Sequence, residues 1–529
     1  MAGAAACLAG CAAPSDIGQG EPQAPLPAPV AAPAGAPPPV LREFRAAWVA
    51  TVAHIDWPSR RGLGTAQQRA EMIDLLDRAR ATGLNAIVLQ VRPAADAIYP
   101  SALEPWSEYL TGASGRPPDV AWDPLAEWVD QAHRRGLELH AWFNPYRARH
   151  SSAQTALAAR HVAQAEPALV RRYGELLWLD PGEPRAAQRM VDVVLDVVQR
   201  YDVDGVHLDD YFYPYPVKDA QGQEQPFPDD VSWRAHGPGG AESTPPDGGP
   251  SPERAAWRRQ QVDRLIERLH AAIHVAKPWV RFGISPFGLP RPDRRPPGIA
   301  GFSQYDKLHA DVERWLSEGW LDYLAPQLYW PITQAAQAFP VLLDAWRRDN
   351  ARARHLWPGL FTSRVGDAQR PYTPEEVLAQ IDVVRQRAAA DPTTRGHLHF
   401  SMVALARNRE GLADRLRSGP YAQDALPPAT PWLGEPAPGL PRVTLEAAAA
   451  NATWLRWQLR DGPPWRHAVL HQHRAGRWQA SHLPVPGEAS ARLADDADRA
   501  ELCGIGRTGL QGPPARLARS AVGRWELLA

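Results

Sequence analysis

Eight short apolar runs, each followed by a segment with helical periodicity, dominate residues 41–405. The runs fall at 44–51, 84–91, 137–143, 203–208, 280–285, 323–328, 356–361 and 397–403. They are too short for helices and mostly lack the strict alternation of a strand with one wet face. Strands apolar on both faces belong between layers of helix, which calls for a parallel sheet. The segments between them supply those helices. Met72, Leu75, Leu76 and Ala79 fall at i, i+3, i+4 and i+7, and Gly83 follows as a stop. Asp123-Pro124 and Thr373-Pro374 each place a capping residue before Pro at the first helical position. Eight such units predict an α/β fold, a (β/α)8 TIM barrel. A doubly wound open sheet is the rival, but no glycine-rich phosphate loop follows any run.

The chain of 529 residues exceeds one domain. The reading divides it into a short apolar leader (1–11), a Pro/Ala-rich tether (12–40), the barrel (41–426) and a β-rich tail (427–529). A Pro-, Gly- and Asp-rich insert at 215–253 follows the fourth run and reads as a long loop at the cleft. The tail has short strand-like runs separated by turn residues, which predicts a small all-β, fibronectin type III-like sandwich. The stretch 504–515 reads as its final strand. Glycan binding and simple spacing are equally open for this tail.

Charge excludes one class of partner. Lys and Arg number 58 and Asp and Glu 59, so there is no electrostatic footprint for nucleic acid. Of three Cys, Cys7 and Cys11 lie in the leader and Cys503 stands alone near the C-terminus. No disulfide framework and no Cys/His zinc spacing follow. No segment is long and apolar enough to span a membrane.

The run ends carry the chemistry. The fourth closes in Asp204-Gly-Val-His-Leu-Asp-Asp-Tyr-Phe-Tyr-Pro214, two adjacent carboxylates followed by aromatics. Ionised Asp is rarely buried unpaired, and adjacent like charges raise each other's pKa. Aromatic rings beside carboxylates suit a sugar, whose C–H face stacks while its hydroxyls hydrogen-bond. Barrel enzymes gather their working groups at the C-terminal strand ends. The other ends contribute Trp48, Asp56, Gln90, Arg92, Asp96, His140, Asn144, His207, Tyr211, Gln327, Tyr329 and Trp330. This set predicts a carbohydrate cleft. Glycoside hydrolysis normally needs two carboxyl groups. Asp209 shares the parity of Val203, Gly205 and His207, which makes it the candidate nucleophile or base. Asp210, then Asp56 and Asp96, are the candidate acids. A divalent ion held by His54, Asp56, His140, His207, Asp209 and Asp210 is a rival reading, but no H-x-H or H-x-x-x-H spacing supports it. The reading therefore uses no cofactor and no metal.

These motifs resemble one family. Phe44-Arg-Ala-Ala-Trp-Val, Gln90-Val-Arg-Pro, Asp96-Ala-Ile-Tyr-Pro-Ser101 and Glu104-Pro-Trp-Ser are similar to the bacterial glycosyl-hydrolase-like family 10 domain. So are His140-Ala-Trp-Phe-Asn-Pro-Tyr-Arg147, the 204–214 motif, Gly283-Ile-Ser-Pro-Phe-Gly288 and Tyr323-Leu-Ala-Pro-Gln-Leu-Tyr-Trp330. The resemblance implies a TIM-barrel glycosidase. The family includes outer-membrane lipoproteins that cut peptidoglycan glycan strands stripped of stem peptides. It also implies Asp209 and Asp210 as the catalytic centre, with Arg92, Asn144, Gln327 and Tyr329 in the cleft. A catalytically silent glycan-binding envelope lipoprotein, or a glycosidase of another polysaccharide, are the alternatives.

The leader fits that setting. Leu8-Ala-Gly-Cys11 resembles the lipobox of bacterial lipoproteins, in which Cys11 becomes lipidated. Residues 12–40 are too poor in large apolar side chains to form a core and read as an extended tether. The expected placement is an outer-membrane lipoprotein facing the periplasm, its partners the membrane lipid and peptidoglycan glycan.

Overall fold

Strand β1 (Phe44–Val49) shows why a sheet forms between two apolar layers. Phe44, Ala46 and Trp48 enter a cluster with Val88, Trp142, Tyr323 and Trp357, while Ala47 and Val49 enter another with helix residues. The computed structural model describes residues 35–239, 249–369, 371–447, 452–458, 463–485 and 489–528. Cys11 and nearly all of the tether expected at 12–40 lie outside the described residues.

Among the described residues, seven parallel strand positions follow β1: β2 (Ala86–Arg92), β3 (Glu138–Phe143), β4 (Gly205–Leu208), β5 (Arg281–Ile284), β6 (Tyr323–Leu324), β7 and β8 (Gly396–His399). β7 is one segment in two pieces, His355–Leu356 and Gly359–Leu360. The first piece pairs with β6 and the second with β8, and β8 pairs with β1. The sheet therefore closes on itself. Pro358 has no N–H to give and interrupts the ladder at that point. The barrel expected from the eight runs is the observed fold.

The expected helices are present. Helix α1 (Thr65–Thr82) buries Met72, Leu75, Leu76 and Ala79, and Gly83 ends it at φ 96°. Helix α2 (Pro124–Arg134) starts with Asp123 accepting the Ala126 N–H. Helices α3 (Pro184–Arg200), α4 (Pro252–Ala276), α5 (Val312–Glu318), α6 (Phe339–Asp349), α7 (Pro374–Ala390) and α8 (Leu412–Ser418) follow the remaining strands in turn.

Two glycines let large rings fill the barrel. A Cβ on Gly205 would sit 2.5 Å from the His140 ring, and one on Gly283 would sit 2.0 Å from the Tyr323 ring. Those rings form a hydrogen-bonded column along the interior. Trp48 Nε1, an obligate donor, lies 3.1 Å from His207 Nε2. His207 Nδ1 therefore carries the proton and donates to Tyr323 Oη at 2.9 Å. Tyr323 then donates to His140 Nδ1 at 2.9 Å, and His140 Nε2 donates to Glu138 at 3.2 Å. Burial pushes the His207 pKa well down, in keeping with a neutral ring.

Several local expectations need correction. Residues 147–179 contain a three-stranded antiparallel sheet, Arg147–Arg149, Leu176–Leu179 and Val170–Tyr173, that period-based reading missed. Strand β8 stops at His399, and Met402–Ala406 is a helix rather than a strand continuation to 403. The insert is not all loop, since Asp230–His236 is helical.

The tail forms two antiparallel sheets. β9 (Arg442–Ala447), β10 (Thr453–Gln458) and β13 (Ser490–Leu493) make one, in that order. The other runs β12 (Arg477–Pro484), β11 (Trp465–Arg474), β14 (Ala497–Gly506), β15 (Ala515–Arg519) and β16 (Trp525–Leu527). Leu455, Trp457, Trp465, Leu470, Leu502 and Leu517 pack between them. The stretch 504–515 is the connection from β14 to β15, not the last strand. The sandwich docks against strand starts. Arg466 reaches Asp204 at 2.9 Å and Asp202 at 2.8 Å, and Trp432 Nε1 from the preceding linker donates to Asp322 at 2.8 Å. It thus sits at the end of the barrel opposite the strand ends described next.

Candidate active site

Strand β4 aims the site. Gly205 and His207 face the barrel interior, and the next residue of that parity is Asp209. The ladder stops at Leu208, so Asp210 is free of the alternation and also reaches the cleft. Both are buried, at 3% and 2% exposure, in a pocket of about 170 Å³. Its walls are Trp48, Trp142, Tyr211, Tyr329 and Phe400, with Gln90, Arg147, Ser285 and Gln327 as polar groups.

Asp209 is fixed through its neighbours' amides. It accepts from Trp142 Nε1 at 3.2 Å, from Asn144 Nδ2, and from the Tyr211 N–H at 3.3 Å. The Asn144 orientation is forced. Its Oδ1 accepts from Gln90 Nε2 at 2.5 Å and Arg147 Nη2 at 2.7 Å, which leaves its amide group to donate to Asp209. Gln90 is locked in turn, since its Oε1 accepts the Thr51 and Val52 N–H groups, each at 2.9 Å. Loop β1, strand β2 and strand β3 therefore converge on one carboxylate.

Asp210 has different partners. Gln327 Nε2 donates to it at 3.1 Å while also donating to the Ser285 carbonyl at 2.9 Å. Tyr215, the first residue of the insert, donates its hydroxyl to the other oxygen. The Tyr215 ring stacks on Phe302 at 5.2 Å. Burial raises both carboxyl pKa values above the ordinary Asp range. For Asp209 the Arg147 guanidinium opposes that rise and the Asp210 charge adds to it. Such a pair shares a proton over a pH range where isolated carboxyls would both be ionised.

The structure brings Trp48, Gln90, Tyr211, Gln327 and Tyr329 to the pocket with the two Asp, and sets Asn144 directly behind Asp209. The remaining expected cleft residues lie elsewhere, each engaged in local contacts. Arg92 forms a two-pronged ion pair with Glu104 at 2.8 and 2.6 Å and donates to the Asn144 carbonyl at 2.5 Å. Asp56 accepts from the Ala50 N–H (2.8 Å), Ser401 Oγ (2.7 Å) and the Val403 N–H (2.7 Å), tying the β1 loop to the β8 loop. Asp96 accepts the Ala94 N–H at 2.9 Å within its own loop. Burial pushes Asp56 and Asp96 up to about 6 each. His140 and His207 belong to the interior column beneath the pocket. Trp330 packs edge-on against Phe287 at 5.4 Å. Arg147, Tyr215 and Phe400 were not anticipated. Arg147 ends a quoted motif, and Tyr215 continues the aromatic run that starts at Tyr211, so a signal existed for both.

The six residues of the rival metal reading are not brought together as a ligand group among the described residues. Among the described residues, the group whose ligand atoms approach one another is His270, His274 and Asp322, at the start of β6. Asp322 there already accepts from Phe282 N–H at 2.7 Å and Trp432 at 2.8 Å.

The glycosyl hydrolase-like 10 family model matches residues 43–374, which contain every residue of this pocket except Phe400. The chain belongs to the glycosyl hydrolase-like 10 family. Glycosyl hydrolase YngK of Bacillus subtilis is 41% identical over 430 residues, covering 80% of each chain. Glycosyl hydrolase DigH of Escherichia coli is 33% identical over 366 residues, covering 64% of this chain and 79% of that one. The glycoside hydrolase domain of PgaB (BpsB) from Bordetella bronchiseptica aligns with 72% of this chain and 99% of its own at 15% identity and TM-score 0.45. As a member of the glycosyl hydrolase-like 10 family, the protein is a glycosidase.

Proposed function

We propose that this glycosidase cleaves peptidoglycan glycan strands already stripped of stem peptides, with Asp209 and Asp210 as its acid–base pair. The observation that carries the reading is the pair itself. Two carboxyls with raised pKa values lie side by side in an aromatic pocket, one held by three N–H groups and the other by a hydroxyl and an amide. Environments that differ this way separate an acid from a base. The obligate donors around Asp209 oppose the rise that burial imposes and stabilise its ionised form. Asp210 faces the Tyr215 hydroxyl, which can reverse its role and accept, so this carboxyl tolerates a proton. The pocket is smaller than the ~300–1,000 Å³ of drug-sized ligand sites, which suits one ring of a longer chain.

The substrate choice rests on the motif resemblance to lipoproteins that act on denuded glycan and on Leu8-Ala-Gly-Cys11. Lipidation at Cys11, an outer-membrane position facing the periplasm and tethering through 12–40 belong to the same proposal. Incubating the protein with denuded glycan strands and analysing products by mass spectrometry tests it. New reducing ends, lost in Asp209→Asn, are expected. Retained binding without cleavage of any envelope glycan removes peptidoglycan as substrate. Fractionation of the protein and its Cys11→Ser variant tests the anchor, and an unchanged distribution refutes it.

A further inference from the structure

We infer that the nucleophile is the acetamido group of a 2-acetamido sugar in the substrate, with Asp209 holding its N–H and Asp210 protonating the departing oxygen. This rests on the glycosidase reading of the Asp209–Asp210 site and extends it to the sugar class and the attacking atom.

A protein nucleophile paired with an acid needs carboxyls about 5–5.5 Å apart on the two faces of the sugar, and a base activating water needs about 6.5–9.5 Å. Among the described residues lining the pocket, the carboxylates are Asp209 and Asp210, consecutive residues leaving one strand end. Both leave the end of β4, so they belong to one wall of the pocket. The facing wall, from the β1, β6 and β8 ends, is built of Trp48, Tyr329 and Phe400. Asp56 is the carboxyl near that wall in sequence, but its two oxygens are taken by Ala50, Ser401 and Val403. Trp48 and Phe400 carry no nucleophile, and burial pushes the Tyr329 phenol well above its ordinary pKa, which keeps it protonated and leaves these rings to stack on the sugar.

A 2-acetamido group brings its own nucleophile to within one ring closure of the anomeric carbon. An ionised carboxylate on its N–H makes the carbonyl oxygen a better nucleophile. Asp209 is built for that state, with Trp142, Asn144 and the Tyr211 N–H all donating to it. Asp210, with the reversible Tyr215 hydroxyl, suits the group that gives up and recovers a proton.

The steps balance. The acetamido oxygen bonds to the anomeric carbon as the bond from that carbon to the glycosidic oxygen breaks. The departing oxygen keeps the electron pair and takes the Asp210 proton. Asp209 takes the N–H proton, leaving a neutral oxazoline. Water, its proton accepted by Asp210, then attacks the anomeric carbon and reopens the ring, and the nitrogen recovers its proton from Asp209. One water is consumed, and the anomeric configuration is retained.

The test uses the full protein, denuded glycan, the same glycan after chemical de-N-acetylation, and the thiazoline of N-acetylglucosamine as a stable oxazoline mimic. Retained configuration by NMR, competitive inhibition by the thiazoline and turnover about 100-fold or more slower on the de-N-acetylated glycan are expected. Asp210→Ala should lose far less activity on an aryl 2-acetamido glycoside, whose leaving group needs no proton, than on the glycan, while Asp209→Ala should lose activity on both to a similar degree. Comparable cleavage of the de-N-acetylated glycan, or inverted product, overturns the inference while leaving the peptidoglycan reading intact. Retention and thiazoline inhibition on another 2-acetamido polymer, with peptidoglycan untouched, upholds the inference and removes that substrate. Cleavage only of polysaccharides without acetamido groups overturns both.

Discussion

Tyr215 donates its phenolic hydrogen to Asp210, so the first residue of an insert completes a site otherwise built from strand ends. Its ring is held by Phe302 at 5.2 Å and by the edge of Tyr211 at 5.5 Å. The insert is thereby part of the site rather than decoration on the barrel.

Tyr215→Phe should leave the fold intact and lower kcat/KM by about 10-fold or more, since a hydrogen bond to a charged group is worth about 1.5–3 kcal/mol. The sign of the pH effect follows from which form the phenol favours. It stabilises the ionised carboxylate and holds the Asp210 pKa below where burial alone would put it. Removing it raises that pKa, so the alkaline limb of the kcat/KM profile should move to higher pH. A limb that stays in place or moves down would detach Tyr215 from Asp210's proton.

Asp209→Asn should abolish most turnover, by about 10²–10⁴-fold, while raising thermal stability near neutral pH. A carboxyl whose folded pKa is raised contributes stability that is complete below its unfolded pKa and is lost as pH rises through the folded value. The uncharged amide escapes that loss and keeps its oxygen toward Asn144 and Trp142. The gain should be roughly 1–3 kcal/mol, one pKa unit being about 1.4 kcal/mol, and should vanish on titrating down to the ordinary Asp range. Calorimetry across that range measures it, and a gain independent of pH would contradict the buried-charge account.

How far the sequence reaches is clear from individual residues. The alternation of apolar runs and helical segments announces the closed barrel, and parity alone brings Asp209 to the cleft. Where the ladder breaks is less legible. Pro358 splits β7, and the end of β8 at His399 lies hidden in a run that stays apolar into the next helix, which is why Phe400 at the pocket went unread. Polar strand ends also mislead, because a sequence does not say where a side chain's partners are. Arg92 is spent on Glu104 and Asp56 on Ser401 and Val403, so both stabilise the walls rather than line them.

Gly205→Ala should be strongly destabilising. The added methyl would lie 2.5 Å from His140 Nδ1, the atom that accepts from Tyr323. The imidazole is fully buried and bonded at both nitrogens, so it cannot swing away without breaking its bond to Tyr323 or to Glu138. Overpacking of about 1–3 kcal/mol adds to a lost buried hydrogen bond of similar size. Denaturant midpoints for this variant and for Ala187→Gly on the helix layer compare the two environments. A small loss at position 205 would mean the interior column is looser than its contacts imply.

Arg466→Ala should detach the sandwich from the barrel without touching chemistry. Arg466 lies between Asp202 and Asp204, and its charge, followed by the His133 contact, holds the buried Asp204 well below the usual carboxylate range despite desolvation. Stability from a lowered carboxyl is present above its unfolded pKa and is lost as pH falls toward the folded value. Removing one partner of such a buried pair costs about 3–5 kcal/mol, most of it from the charge left behind. The variant should therefore lose stability at neutral pH and less of it in acid, where Asp204 can take a proton. Its turnover per folded molecule should be unchanged, because Asp204 begins β4 while Asp209 and Asp210 lie beyond its far end. Proteolysis between barrel and sandwich, read by mass spectrometry, reports the detachment directly. Unaltered cleavage rates there, together with an undiminished melting temperature, would show that the ion pair does not hold the two parts together.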